Sequence, residues 1–352
     1  MNRMHKRRAP ALLAPAVVLC LAAHGLPALA APLMPVLTRP AEQTALATRA
    51  VLVAVTRAGA RIVTVGERGI VLLSDDSGKT WRQARVPVSV TLTSVAFPSP
   101  KQGWAAGHAG VILHTDDGGE TWAVQLDGKR AQAQLLEEAS QAGGPLAAAA
   151  RSLASPEPDK PFLGLYFKDE HTGYAYGAYG MLFRTSDGGK TWSSCFTRAD
   201  NPKGLHLYAM GGDHQQLYLA GEQGLLLRAG TDGEHFEPVD TGYRGSYFAV
   251  ANTAGQWLLA GLKGALMRSR DGRTFEPVAG LPPVSWSSVT PVGPKVLLVN
   301  QAGMAFSFDA AKGEVKPVPT PPRFPLQALA SAPDGSLVGV GLRGVARIAG
   351  NP

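Results

Sequence analysis

Three near-identical octets carry the carboxylates best placed to do chemistry: SDDSGKTW at Ser74–Trp81, TDDGGETW at Thr115–Trp122 and TSDGGKTW at Thr185–Trp192. Aspartates beside a hydroxyl and a tryptophan are the raw material of general acid–base catalysis. A catalytic site needs one asymmetric constellation, however, and these octets repeat one pattern, S/T-x-D-x-G-x-T-W. Repetition assigns them to a turn that recurs because the fold recurs. In such a turn Asp76, Asp117 and Asp187 accept backbone N–H groups, and Gly78, Gly119 and Gly189 take positive φ. Thr80, Thr121 and Thr191 bond across the turn, while Trp81, Trp122 and Trp192 cover the join between neighbouring sheets. The octet decays to AGTDGEHF and SRDGRTF further along and is lost in SFDAAKGEV.

Other reactive side chains form no constellation. His108 and His114 flank a predicted strand, and His171, His206, His214 and His235 are scattered without metal-ligand spacing. Cys195 follows Trp192 in a predicted strand with no histidine partner suggested nearby, so it reads as a small buried residue. No catalytic residue, metal or cofactor is expected.

The elements that hold the octets are set by a longer repeat. A Gly-x-x-Gly turn between apolar strands occurs seven times, its first positions being Gly66, Gly107, Gly177, Gly221, Gly261, Asn300 and Gly341. The spacings are 41, 70, 44, 40, 39 and 41 residues. Apart from the 70, that is the length of one four-stranded propeller blade. No helix follows these turns, so they are not phosphate loops. Glycine is expected at the first position for positive φ, with Asn300 as the usual substitute. Strands such as Ile70–Leu73 are apolar at consecutive positions, as required of sheets covered on both faces. The last unit lacks an outer strand, and MPVLT at Met34–Thr38 has no unit of its own. The expectation is an all-β, seven-bladed β-propeller whose N-terminal strand completes the seventh blade.

The 70-residue interval holds an insertion at about 127–160. Lys129–Gln141 is alanine-rich with Ala131, Leu135 and Ala139 at helical spacing, and Gly143-Gly144-Pro145 breaks it before a second alanine run. A short helical hairpin is predicted, serving either as a solvated decoration or as a docking element.

Residues 1–30 have the form of a signal peptide, with basic MNRMHKRR, an apolar stretch from Ala11 to Leu21 and Ala28-Leu29-Ala30 as a cleavage site. The expected mature protein is the propeller of residues 31–352, periplasmic or otherwise exported. Removing Arg3, Lys6, Arg7 and Arg8 takes the 34 basic residues to 30 against 27 acidic ones, a balance of +3 instead of +7. With no basic run to enter a groove, nucleic acid is not an expected partner. Cys195 is the one cysteine beyond the leader, so no intramolecular disulfide can form, and because it reads as a buried residue no disulfide-linked partner is expected.

The Gly-x-x-Gly turns and the connections between blades fall on one face, opposite the octets. That face is expected to carry Arg68, Tyr179, Lys263 and Arg343, with Tyr243 and Arg244 in TGYRGSY and Trp286 in LPPVSW, the alternative for Trp286 and Tyr247 being that they begin inner strands and are buried. Aromatics mixed with arginines are an interface composition.

The octets, with GMLFRTSDGGKTW at Gly180–Trp192, resemble the BNR/Asp-box β-propellers, most closely the photosystem II stability and assembly factor-like group. The resemblance covers nearly all of the chain beyond the leader. It implies a non-catalytic lumenal factor that binds a newly made membrane subunit, with a basic patch on the propeller. Carried over by position, the arginine before the octet is Arg184, Arg228 and Arg268, His114 keeps a polar group there, and Leu73, Ser307 and Ile348 depart. Asp-box propellers also include sialidases, the alternative reading, which need an arginine triad and a tyrosine nucleophile with a glutamate partner. Arg61-Ile62 lacks the flanking residues of their arginine segment, and no glutamate is evidently paired with Tyr179, Tyr243 or Tyr247.

Overall fold

The structure, a computed structural model, describes residues 35–142, 144–153, 159–320 and 324–348. Seven antiparallel sheets follow one another along the chain, six of four strands and one of three. Their first strands adjoin in a closed circuit, Leu52–Ala58 of blade 1 lying against Leu326–Ser331 of blade 7. This is the seven-bladed propeller expected from the repeat. Second strands such as Arg61–Gly66 and Gly103–Gly107 are buried almost throughout, because a blade is covered on both faces by its neighbours.

The Gly-x-x-Gly turns owe their first glycine to sterics rather than to φ. Gly66 and Gly177 are extended, at φ −169° and −175°. A Cβ on Gly66 would lie 2.1 Å from the Val51 carbonyl oxygen, and one on Gly177 2.3 Å from that of Pro161. The turn passes so close to the chain entering the inner strand that no side chain fits. Positive φ falls instead on the third residue, at Arg68, Tyr179 and Lys263 (φ 52°, 57° and 54°). Asn300 makes its own bonds, its Oδ1 accepting from the amides of Ala302 and Met304 at 3.1 and 3.0 Å.

The expected closing strand is not a strand. Met34 lies outside the described residues, and Pro35–Leu37 is a 3-10 turn. The chain beyond it runs along the outside of blade 1: Ser89 N–H donates to Val36 O, Ala41 N–H to Val86 O, and the Gln43 amide to Ala84 O. Residues Ala47–Arg49 then tuck against blade 7, where a Cβ on Gly344 would lie 1.8 Å from Thr48 O. Ala47, Leu52 and Leu72 share one apolar cluster with Ala328 and Val340. The ring is therefore closed by packing, and blade 7 has three strands among the described residues.

The insertion is a helical hairpin, α1 over Gly128–Ala142 and α2 over Gly144–Leu153. Asp127 caps α1, its Oδ1 accepting from the amides of Lys129 and Arg130, both at 3.0 Å. Ala131, Leu135, Ala139, Ala147 and Leu153 join the largest aromatic core, with Phe162, Phe183, Trp192 and Phe196. Glu138 binds the turn after blade 3: it accepts from the amides of Phe196 (3.2 Å) and Thr197 (2.8 Å), from Thr197 Oγ1 (2.6 Å) and from Ser194 Oγ. The hairpin is thus part of the core, which a solvated decoration would not be.

The octets form the turns expected of them. In blade 1, Asp76 Oδ1 accepts from the amides of Lys79 and Thr80, Oδ2 accepts from Thr80 Oγ1 at 2.6 Å, and Ser74 Oγ bridges Asp76 and the Gly78 amide. Blades 2 and 3 repeat this around Asp117 and Asp187. The shortened SRDGRTF still gives Asp271 the amides of Arg273 and Thr274, both at 2.8 Å. Trp81 packs on Ala332 and Val338 of blade 7, and Trp192 Nε1 reaches Gln125 of blade 2 at 3.2 Å.

The Thr80 hydroxyl and amide, followed by Ser74 and Lys79, hold the Asp76 carboxyl at about 2, below its ordinary 3.8. A value depressed in the folded state contributes stability that is whole above the unfolded value and is lost as pH falls toward about 2. Asp76→Asn is therefore expected to flatten the acid limb of urea-unfolding midpoint plotted against pH between about 4 and 2. An acid limb of unchanged steepness would show that the carboxylate does not staple the turn.

Candidate functional site

The residues expected at a partner site divide between two faces. Arg184, Arg228 and Arg268 lie on third strands near the Asp-box end, engaged by neighbours. Arg184 meets Glu234 at 3.4 Å and sits 6.0 Å from the Tyr174 ring centre, and Arg268 meets Glu276 at 3.8 Å. Arg228 stands opposite Glu237 in the ladder, beside Tyr218 of the second strand. A further arginine joins this series. Arg347 pairs with Val338 as Arg268 pairs with Leu258, because the blade 7 turn, Leu342–Arg343, is one residue shorter than the others. Arg347 donates to Ser77 O at 3.1 Å and to Asp334 at 2.7 Å. Ile348, aligned with this place by sequence, is buried beside it.

Trp286 is not at the surface: it opens the inner strand of blade 6 and is 1% exposed. Burial follows from its place beside Val296 and Leu298 in the core between blades 5 and 6.

The opposite face carries the Gly-x-x-Gly turns, with Arg68, Tyr179 and Lys263 at their tips and Arg343 in the blade 7 turn. Tyr243 donates to Leu262 O at 2.9 Å and its ring lies 5.0 Å from that of Tyr247. Arg244 forks onto Asp240 at 3.0 and 3.4 Å. Tyr179, 51% exposed, begins a track of rings that the sequence did not point out. His206 follows at 4.8 Å, Tyr208 at 6.2 Å from it, and Phe248 at 5.3 Å from Tyr208. The track runs from the blade 3 turn inward to the first strands of blades 4 and 5. His206 Nδ1 accepts from the Tyr179 amide at 2.8 Å, fixing the first step. Two adjoining grooves of about 280 Å³ each share Pro202 and Lys203. One lies under Tyr179, Phe196 and Leu153, and the other is floored by Leu225 and Val239 beside Arg244.

Glu222 holds the track from beneath. Its carboxylate accepts from the His206 amide at 2.9 Å and from the Tyr208 hydroxyl at 3.2 Å. A tyrosine–glutamate pair is therefore present, though not at any tyrosine singled out by sequence. Burial first, and the Glu222 charge second, push the Tyr208 hydroxyl up to about 12, which disfavours the phenolate a nucleophile needs. No arginine bonds to the pair among the described residues. The seven first strands, which wall the channel, carry no carboxylate, and Arg57 is their one cation. The Cys195 thiol is buried and pushed up to about 12.

Residues 38–139 match the family model described as photosynthesis system II assembly factor YCF48. Two solved structures named YCF48 share the fold. One, "YCF48 bound to D1 peptide", has a TM-score of 0.63 and 16% identity over 88% of this chain and 97% of that one. The chain thus has the seven-bladed propeller fold and, over residues 38–139, resembles the photosystem II assembly factor-like family. The second structure, YCF48 from Cyanidioschyzon merolae, gives a TM-score of 0.61 at 15% identity, covering 87% of this chain and 98% of that one. The WD40 propeller domain of Doa1 has the same fold at 0.61 and 12% identity, over 89% and 95%. No curated protein matches in sequence. At such identities the solved structures share with this chain its fold alone.

Proposed function

We propose that this propeller is an exported, non-catalytic assembly or stability factor that holds an extended segment of a membrane protein on its Gly-x-x-Gly face. The observation that carries the reading is the track Tyr179–His206–Tyr208–Phe248 beside two grooves with apolar floors. Aromatic rings held in place by backbone bonds are preorganised anchors for a peptide. A similar propeller is named as bound to a D1 peptide, which supports this kind of ligand. The leader-like residues 1–30 support export, and they lie outside the described residues. The client is a subunit of a membrane complex, a photosystem subunit in a phototroph and an envelope transporter elsewhere.

An array of loops and tails from envelope membrane proteins tests this reading. Peptides captured by the wild type should bind Tyr208→Ala about 10-fold or more weakly, the loss expected of an anchor residue. Equal binding by both proteins would remove the track from the site. The sialidase reading has the Tyr208–Glu222 pair in its favour. Turnover of a fluorogenic sialoside that Tyr208→Phe abolishes would establish it; none is expected.

A further inference from the structure

Large apolar side chains are exposed unevenly over this propeller. Among the described residues seven large apolar side chains are exposed: Leu46, Tyr179, Leu262, Met304 and Leu342 on the Gly-x-x-Gly side, Leu136 on α1 and Val124 on the outer strand of blade 2, with none in an Asp-box turn itself. Four of the five on the Gly-x-x-Gly side follow one arc. Leu262 tips the blade 5 turn, Met304 the blade 6 turn and Leu342 the blade 7 turn, and Leu46 stands where the N-terminal segment crosses from the outside of blade 1 to blade 7.

Exposed cations lie between them: Lys263, Arg343, Arg49 and Arg68. Their surroundings differ from those of the Asp-box face. There the strand residues Arg61, Arg82, Arg184, Arg268 and Arg347 are each paired with a carboxylate, while Lys79, Lys190, Arg270 and Arg273, which have none among the described residues, sit in turns built around an aspartate and with no exposed large apolar side chain. None of the four cations on the arc has a carboxylate partner among the described residues. Leu262–Gly264, Gln301–Met304, Leu342–Gly344 and Leu46–Val51 contain no acidic residue, nor does the connection Val278–Ser285. Glu67, the nearest carboxylate in sequence to Arg68, is turned inward to accept from the Val51 amide at 2.9 Å.

We infer that this arc docks the propeller on an anionic lipid surface. Aliphatic tips enter the boundary between headgroups and acyl chains, while unpaired cations meet the phosphates. The shape favours lipid over a second peptide: these are separate convex turn tips, and the two grooves on this side do not reach them. The arc covers blades 5 to 7 and the start of blade 1, leaving the ring track of blades 3 to 5 open. Membrane docking would thus present that track to chain emerging from the same membrane.

The test is sedimentation with vesicles of phosphatidylcholine containing 30% phosphatidylglycerol, against phosphatidylcholine alone. Wild type is compared with Leu262→Ser/Met304→Ser/Leu342→Ser and with Lys263→Glu/Arg343→Glu. All carry the same N-terminal residues, so only differences between them count. Binding to the anionic vesicles should exceed binding to neutral ones about 10-fold, fall with added salt, and drop about 10-fold in each variant. Peptide capture through Tyr208 should be unchanged in both, so failure here is separable from failure of the proposed client site. Equal binding to neutral and anionic vesicles, or variants that bind as wild type, would overturn the inference. Loss of binding to an acidic peptide in the charge variant, without any vesicle binding, would assign the arc to a protein instead.

Discussion

Leu135→Asp is expected to destabilise the protein by more than about 4 kcal/mol, the combined cost of a lost core side chain and a buried carboxylate. Leu135 is 2% exposed in the cluster that holds Phe162, Phe183, Trp192 and Phe196. Those rings belong to blade 3, so the hairpin's inner face is the outer wall of that blade's core. Glu138→Ala should add a smaller loss of about 2–3 kcal/mol, because the amides of Phe196 and Thr197 would lose their acceptor. Deleting Lys129–Ala154 should therefore yield insoluble or partly unfolded protein, not a propeller that merely lacks a docking element. Urea-unfolding midpoints of the two point variants, together with the soluble yield of the deletion, check this. A deletion protein with wild-type midpoint would show that the hairpin is dispensable packing.

The second large effect is Gly177→Ala, expected to cost about 3 kcal/mol or more by overpacking against backbone. The new Cβ would stand 2.3 Å from Pro161 O and 2.8 Å from the Phe162 Cα. Neither atom moves without separating the first two strands of blade 3. Gly242→Ala is the contrast: its φ is +74° with open space around it, so it pays only the left-handed penalty of about 1 kcal/mol. If φ alone governed these glycines, the order would be reversed, since Gly177 is extended at −175°. Thermal unfolding of the two variants decides between the explanations, and a larger loss at Gly242 would contradict the steric one.

These cases mark what could be read from the sequence. The blade period needed only the spacing of the turns, and the Asp boxes needed only local bonds, so both were visible in short windows. The hairpin was legible from Ala131, Leu135 and Ala139 at helical spacing, but its union with Trp192 and Phe196 depends on contacts far apart along the chain. The path of residues 36–49 was misjudged for a similar reason. A free outer edge in blade 7 and an unassigned N-terminal segment suggested pairing, whereas Ala41 and Gln43 bond the segment to blade 1 instead. Arg347 was concealed by a one-residue difference in turn length, which shifts a strand's register without changing its composition. Within the site, Tyr179 was identifiable as an exposed turn tip. His206, Tyr208 and Glu222 became a unit only when two strands of blade 4 met, although the matching Glu67 of the first turn was a signal that this position bonds inward.

The most direct measurement of the client-holding account is photo-crosslinking in cells, with a benzophenone amino acid placed at Tyr179 or, on the opposite face, at Thr121. A membrane protein crosslinked from position 179, absent from position 121 and lost when Tyr208→Ala is added, is the predicted result. The same product from position 121, or none from 179, would contradict the account.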